Sequence, residues 1–127
     1  MTDALKPGAT IGILGGGQLG RMLSVAASRL GFKTHIFEPG ANPPAGQVAD
    51  QVTTAGYEDS AALLAFANSV DVITYEFENI PTAALDIIEA HGPIRPGREA
   101  LRISQDRLTE KTFLQSLGLH IAPFADI

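Results

Sequence analysis

The sequence predicts an α/β fold with a Rossmann-like parallel sheet that carries helices on both faces. Short β-rich runs alternate with stretches of helical periodicity, a pattern that favours parallel strands joined by right-handed crossovers. A glycine cluster follows the first β-rich run and opens the first helical stretch. The chain has 127 residues, of which 45% are hydrophobic, and this is enough for one compact core.

The first half of the chain contains three predicted strands. They cover residues 10–14, 33–37 and 51–54, and the two prolines in 41–46 predict a loop there. Between the first two strands, apolar residues recur at helical spacing as far as Gly31, which ends the predicted helix. These apolar residues are Leu19, Met22, Leu23, Ala26, Ala27 and Leu30.

The middle of the chain predicts a helix, a strand and a further helix. Glu58, Asp59 and Ser60 supply capping chemistry for the first of these. Its apolar face consists of residues at i, i+3, i+4 and i+7 spacing, namely Leu63, Phe66, Ala67 and Val70. A strand is predicted at 71–75, and Pro81 opens the next helix. The predicted buried stripe of that helix is Ala84, Ile87, Ile88 and His91.

The last third of the chain is predicted to be largely helical. Residues 94–95 form a candidate fifth strand after the Gly92–Pro93 break. Residues 98–117 follow as helix with an interruption near Ser104, and Gly118 suits the C-terminal cap.

Composition excludes several classes of function. The net charge is −5 and the nine basic residues are scattered, so nucleic-acid binding is not expected. The absence of cysteine rules out disulfides, zinc ribbons, iron–sulfur clusters and thiol catalysis. The three histidines lack partners at metal-ligand spacing, so no metal site is predicted. With neither a basic leader nor a long apolar run, the expected location is the cytoplasm, without membrane insertion.

Gly15 to Gly20 matches the pattern G-x-G-x-x-G between a predicted strand and a predicted helix. Glycines at these positions allow a tight turn, and the helix N-terminus offers free N–H groups to a phosphate. The motif therefore predicts phosphate or phosphosugar binding. The alternative is a tight turn that binds nothing.

Two further features fall at the carboxyl ends of predicted strands, where ligands of parallel sheets bind. Glu38 lies eighteen residues beyond Gly20, close to the place of the ribose-binding acid in NAD-binding domains. A solvated carboxylate at a strand end explains it equally well. Glu76 and Glu78 flank Phe77 and face one side of the sheet if the strand continues that far. They are candidate ligand contacts, or simply acidic residues placed ahead of a helix N-terminus.

Arg107 is a weaker candidate. On a helix it can pair with Glu110, which would make it an ordinary surface residue. The like-charge pair that it forms with Lys111 at i, i+4 spacing is unfavourable, however, and suggests a role other than helix stability.

Taken in order, these segments resemble the N-terminal part of the 5-(carboxyamino)imidazole ribonucleotide synthases. This is an ATP-grasp family, also known as the phosphoribosylaminoimidazole carboxylase ATPase subunits. The resemblance covers nearly the whole chain from Thr10 onward, and departures at Pro44 and His120 lie in predicted loops. The segments that carry it are residues 12–22, 48–50 and 74–81, followed by Gln105, Asp106, Arg107, Glu110, Lys111, Phe113 and Leu114.

The resemblance implies a pre-ATP-grasp domain and an ATP-dependent, Mg²⁺-dependent ligase. Its reaction would join bicarbonate, activated as carboxyphosphate, to the amine of 5-aminoimidazole ribonucleotide in de novo purine biosynthesis. Arg107 would bind the ATP phosphates, and no catalytic or metal-binding residue is expected in this chain. The expected substrate-binding residues are Gly17, Gln18, Leu19, Gly20, Glu76 and Glu78.

The implied organisation is a substrate-binding domain at 1–104 and the start of an ATP-grasp domain at 105–127. The lysines that bind ATP and the magnesium ligands would lie outside the chain, so the chain alone is expected to be inactive. Members of the family are often dimers, and a homodimer is therefore one assembly that the resemblance allows. Two alternatives stay open: an NAD-binding Rossmann domain of an oxidoreductase, and a stand-alone phosphosugar-binding module.

Overall fold

The computed structural model describes residues 4–126, which divide into two compact units, 4–95 and 96–126. Residues 1–3 and 127, at the outer ends of the two predicted domains, lie outside the described residues. The elements follow in the order β1 (Thr10–Leu14), α1 (Gln18–Arg29), β2 (Lys33–Glu38), a 3₁₀ turn (Pro44–Gln47), β3 (Gln51–Thr54), α2 (Ser60–Asn68), β4 (Val72–Tyr75), α3 (Thr82–Glu89), α4 (Arg98–Ser104) and α5 (Arg107–Ser116).

The four strands form one parallel sheet in the order β3-β2-β1-β4. This confirms the predicted fold class. β1 is central, and its register pairs Leu14 with Phe37 of β2 on one side and with Tyr75 of β4 on the other. The carboxyl ends of β1, β2 and β4 are therefore adjacent, and the segments that follow them lie at the same edge of the sheet.

Alternate residues of the strands face opposite sides of the sheet, and each side is covered. On one side, the ring of Phe66 in α2 makes edge-to-face contacts with His35 and Phe37 of β2, at 4.9 and 5.4 Å between centroids. On the other side, Ile13 and Ile36 form a buried cluster with Ala45 of the 3₁₀ turn. Helical segments thus cover both faces, as the sequence predicts.

The helix α1 is confirmed, but its large apolar side chains do not form its buried face. The residues it buries are small: Gly20, Ser24 and Ala27. These three also recur at helical spacing, and small side chains allow α1 to approach its neighbours closely. The exposed large side chains are Leu19 (58% exposed), Met22 (60%), Leu23 (41%), Val25 (44%) and Leu30 (68%).

Three further details differ from the prediction. Val70 lies beyond the end of α2 and is only half-buried, because the helix ends at Asn68. In α3 the buried residues are Ala84, Leu85 and Ile88, whereas His91 is exposed beyond the end of the helix. The candidate fifth strand is reduced to a single parallel bridge between Ile94 and Ile73.

The second unit contains the predicted break between two helices. α4 ends at Ser104, and α5 starts after Asp106, whose carboxylate caps it by accepting a hydrogen bond from Thr109 N–H at 2.7 Å. Across residues 4–126, no helix combines the length and the apolar character that crossing a bilayer requires.

Candidate functional site at the carboxyl edge of the sheet

The turn after β1 is built from glycines because other segments of the chain approach its backbone closely. Gly15 has φ +104°, a left-handed conformation that favours glycine. A Cβ atom at Gly15 would lie 2.7 Å from Cγ of Glu76. The backbone N–H of Gly15 donates to the carbonyl of Phe37 at 2.9 Å, and that of Glu76 donates to the carbonyl of Leu14 at 3.0 Å. These bonds fix the turn between the ends of β2 and β4.

Two carboxylates bind the next two N–H groups of the turn. Oε2 of Glu38 accepts from Gly16 N–H at 2.7 Å, and Oε1 of Glu76 accepts from Gly17 N–H at 2.9 Å. The other oxygen of Glu38 accepts from Gly40 N–H at 3.0 Å. Glu38 therefore uses both carboxylate oxygens to hold the backbone, a role that the sequence did not predict.

The N-terminus of α1 follows directly. Gly17 is its N-cap and has no side chain with which to cap the helix. Gly20 packs so tightly on the turn that an added Cβ would lie 2.6 Å from the carbonyl oxygen of Gly15. The first N–H groups of any helix lack intrahelical acceptors and point out of its N-terminus. Because α1 begins at this edge of the sheet, the N–H groups of Gln18 and Leu19 face this edge. Both residues are exposed.

A cavity of about 390 Å³ opens beside the turn. It is lined by residues from the carboxyl ends of three strands and from the turn itself: Gly17, Glu38, Pro39, Tyr57, Glu76 and Phe77. Two carboxylates, a phenol and an exposed aromatic ring at one opening suit a small polar ligand with several hydrogen-bond donors.

Tyr57 lies between β3 and α2, and its ring stacks on Phe37 with 5.6 Å between centroids. Burial of the phenol raises its pKa well above the ordinary value, and the negative charges of Glu38 and then Glu76 raise it further. The hydroxyl of Tyr57 is buried and has no hydrogen-bond partner among residues 4–126. The phenol is consequently a protonated donor beside two acceptors.

Of the six expected substrate residues, Gly17 and Glu76 line the cavity and the other four do not. Gly17, Gln18, Leu19 and Gly20 lie at the N-terminus of α1, and Glu76 contacts Gly17 directly. β4 ends at Tyr75, so strand alternation does not extend to Glu78. Glu78 is exposed and is not among the residues that line the cavity.

Arg107 belongs to the second unit, where it is the first residue of α5. Its guanidinium forms an ion pair with Glu110, the partner expected for a surface residue, with 2.6 Å between Nη1 and Oε2. The Arg107 side chain is 79% exposed, so the pair leaves it accessible to an anionic ligand.

Sequence reasoning missed Tyr57, Pro39 and Phe77 as site residues. The carboxyl-edge rule could have found them, since each follows a strand that ends at this edge. Tyr57 is separated from β3 by two residues, and no local motif marks it.

The domain matches a known protein family over most of the chain. Residues 8–105 match the family model described as the ribonucleotide synthetase preATP-grasp domain. The chain belongs to this family. The match covers the β1 turn and the strand-end carboxylates, and it confirms the pre-ATP-grasp fold expected from the resemblance.

The preATP-grasp domain is also similar to complete synthases. It is 54% identical over 121 residues to N5-carboxyaminoimidazole ribonucleotide synthase of Brucella melitensis, covering 95% of this chain and 33% of that protein. A crystal structure of the Staphylococcus aureus synthetase with ADP superposes with a TM-score of 0.89 at 43% identity, covering 97% of this chain and 33% of that one. The names of these relatives do not favour the alternative of an NAD-dependent oxidoreductase.

The structure of a third relative contains both a nucleotide and the ribonucleotide. It is the synthase of Aspergillus clavatus in complex with ADP and 5-aminoimidazole ribonucleotide, at 33% identity and a TM-score of 0.80. It is matched over 92% of this chain and 31% of its own length. The chain spans about a third of the length of the curated synthases of Brucella melitensis and Bacillus subtilis that it matches.

Proposed function

We propose that this chain is the substrate-binding N-terminal part of a 5-(carboxyamino)imidazole ribonucleotide synthase. The complete enzyme would carboxylate 5-aminoimidazole ribonucleotide with bicarbonate at the expense of ATP, in purine biosynthesis. The observation that carries the proposal is the Glu76 carboxylate held on the glycine turn, at the edge of a cavity in a chain 54% identical to such a synthase.

The site favours one way of binding the ribonucleotide. Because Glu38 and Glu76 already accept the N–H groups of Gly16 and Gly17, a phosphate would have to displace a carboxylate there. Donors such as ribose hydroxyls or the substrate amine match carboxylate acceptors instead. We therefore assign Glu76 to donor groups of the ribonucleotide, with Gly17 beside it in the cavity lining. Gln18, Leu19 and Gly20 would contact the ribonucleotide from the N-terminus of α1, outside that lining. Glu78 would contribute from the exposed flank.

The second unit would supply a contact to ATP. In our proposal residues 105–127 begin the ATP-grasp domain. The family match, which ends at residue 105, supports this boundary, whereas the division into compact units falls between residues 95 and 96. The exposed guanidinium of Arg107 fits a phosphate, which it can bind through two N–H groups. ATP, when bound, would supply the energy that activates bicarbonate.

Magnesium would be held mainly outside this chain. Within residues 4–126, no group of three or more His, Asp or Glu side chains could hold a metal ion. The cytoplasmic location and a homodimer stay predictions, which fractionation and sedimentation of the native-length protein would test.

The test is phosphate release from ATP by the native-length protein with bicarbonate, in the presence and absence of 5-aminoimidazole ribonucleotide. We expect release that depends on the ribonucleotide, and none from residues 1–127 alone. Ribonucleotide-independent release by a folded protein that binds NAD tightly would refute the proposal in favour of an oxidoreductase.

A further inference from the structure

The hydroxyl of Tyr57 is an unsatisfied donor inside the candidate site. It is buried, it lacks a hydrogen-bond partner among the described residues, and its ring is fixed by stacking on Phe37. A buried polar group without a partner destabilises the state that contains it. Such a group calls for an explanation, and a functional role is one of them when the group lines a binding cavity.

The nearby acceptors are the two carboxylates of the cavity, and they differ in how firmly they are held. Both oxygens of Glu38 accept backbone N–H groups, from Gly16 and Gly40. Glu76 accepts Gly17 N–H through Oε1 alone. Reorienting Glu76 therefore disturbs fewer bonds. Because burial and the carboxylate charges raise the pKa of Tyr57, its hydroxyl keeps the proton that it would donate.

We propose that Tyr57 is a positioning residue, whose hydroxyl donates to Glu76 when the ribonucleotide occupies the cavity. The inference rests on the proposed function, in which donor groups of the ribonucleotide bind Glu76. A carboxylate that binds such donors has to direct its oxygens into the cavity. A hydrogen bond from Tyr57 holds that orientation and satisfies the buried phenol in the same step.

The first experiment is Tyr57→Phe in the native-length protein, with Tyr75→Phe as the matched control. Tyr75 ends β4 beside the site and is not among the residues that line the cavity. Loss of one hydrogen bond predicts a KM for 5-aminoimidazole ribonucleotide raised roughly three- to tenfold, with kcat within about twofold of wild type. The melting temperature of the free protein should be unchanged or higher, because the variant removes an unsatisfied hydroxyl.

The second experiment tests the route through Glu76. In a double-mutant cycle on ribonucleotide affinity, Tyr57→Phe should have little further effect in a Glu76→Gln background. In protein labelled with ¹³C at tyrosine Cζ, the signal absent from Tyr57→Phe should shift when the ribonucleotide is added. If the role of Tyr57 were purely structural, Tyr57→Phe would lower the melting temperature and would not raise KM selectively over its effect on kcat.

The outcomes separate the two proposals. If wild type binds the ribonucleotide and Tyr57→Phe binds it equally well without a Cζ shift, the role of Tyr57 is refuted and the proposed function stands. Additive effects of the two substitutions would also refute the route through Glu76. If wild type does not bind the ribonucleotide, both proposals fail.

Discussion

Glu76 and Gly17, which are 59 residues apart in the chain, are joined by a hydrogen bond of 2.9 Å from the glycine N–H to the carboxylate. The bond connects the end of β4 to the N-cap of α1. It brings an acidic acceptor to the place where a glycine motif would otherwise offer donors to a phosphate. The relationship therefore changes the ligand chemistry that the motif alone predicts.

Replacing Glu76 should weaken substrate binding far more than replacing Glu78. Hydrogen bonds to a charged group contribute about 1.5–3 kcal/mol, so Glu76→Gln should raise the KM for the ribonucleotide roughly 10- to 100-fold. Glu78 is exposed beyond the end of β4, and Glu78→Gln should change KM by less than about threefold. Steady-state kinetics of the native-length protein compares the two. Equal losses would show that the cavity does not define the substrate site.

Alanine substitutions at two glycines of the motif should have different effects, one on stability and the other on ribonucleotide binding. At Gly20 an added Cβ would lie 2.6 Å from the backbone oxygen of Gly15, which cannot move without shifting the turn. Gly20→Ala should therefore lower the free energy of unfolding by about 1–3 kcal/mol. Gly92→Ala is the control, because a Cβ at Gly92 would make only ordinary contacts, at 3.8 Å from Cδ1 of Ile73 and 4.0 Å from the backbone oxygen of Ala67. Chemical denaturation measures both variants, and equal stability would contradict the tight packing.

At Gly17 the atom nearest to an added Cβ belongs to a side chain and not to the backbone. An added Cβ would lie 2.9 Å from Oε1 of Glu76, which can rotate away. Gly17→Ala should cost less than about 1 kcal/mol of stability, yet weaken ribonucleotide binding because it displaces the carboxylate. Calorimetric titration of the native-length protein, together with its melting temperature, tests this. Unaltered affinity would mean that the position of Glu76 is unimportant for binding.

The sequence predicted the sheet well because its strands are short runs whose ends are marked by glycine, proline or capping residues, and because β1 and β2 are mostly buried. The edge at which Glu38 and Glu76 meet followed from parallel topology alone. The face of α1 did not, because its small and its large residues both recur at helical spacing. Periodicity identifies such a helix, and close packing of Gly20 on the turn selects the buried side.

The details of the site depend on side-chain geometry that no local pattern encodes. Tyr57 joins the site because its ring stacks on Phe37, a contact between residues twenty apart in the chain. Glu78 lies outside the cavity lining, three residues beyond Tyr75, where β4 ends. Strand ends are the least predictable part of a sheet, since tertiary hydrogen bonds decide where pairing stops.

The cap of α2 should contribute measurable stability. Oδ1 of Asp59 accepts a hydrogen bond from Ala62 N–H at 3.0 Å, which satisfies one donor of the first turn. Asp59→Ala should lower the free energy of unfolding by about 1 kcal/mol. Asp59→Asn should keep most of the stabilisation that the cap provides, because an asparagine side chain can accept the same hydrogen bond. Urea denaturation of the three proteins provides the comparison. A loss as large in Asp59→Asn would point to the charge of Asp59 instead of its capping bond.

His35 should make the stability of the fold depend on pH. Ser69 Oγ donates to the carbonyl of Phe66 at 2.7 Å, so it accepts from Nδ1–H of His35, and Nε2 accepts from Thr53 Oγ1, both at 2.8 Å. This network holds the neutral ring. Burial lowers the pKa of His35 below its ordinary value of 6.5. The unfolded chain therefore binds a proton that the folded chain does not.

The sign of the effect follows from linkage. The stabilisation is fully present above about pH 6.5 and is lost as the pH falls from there through the lowered pKa of folded His35. His35→Gln should remove this part of the pH dependence of the free energy of unfolding, and His120→Gln, at an exposed position, should keep it. Denaturation of the three proteins between about pH 5 and 8 measures the slopes. A slope that persists in His35→Gln would assign the titration to another group.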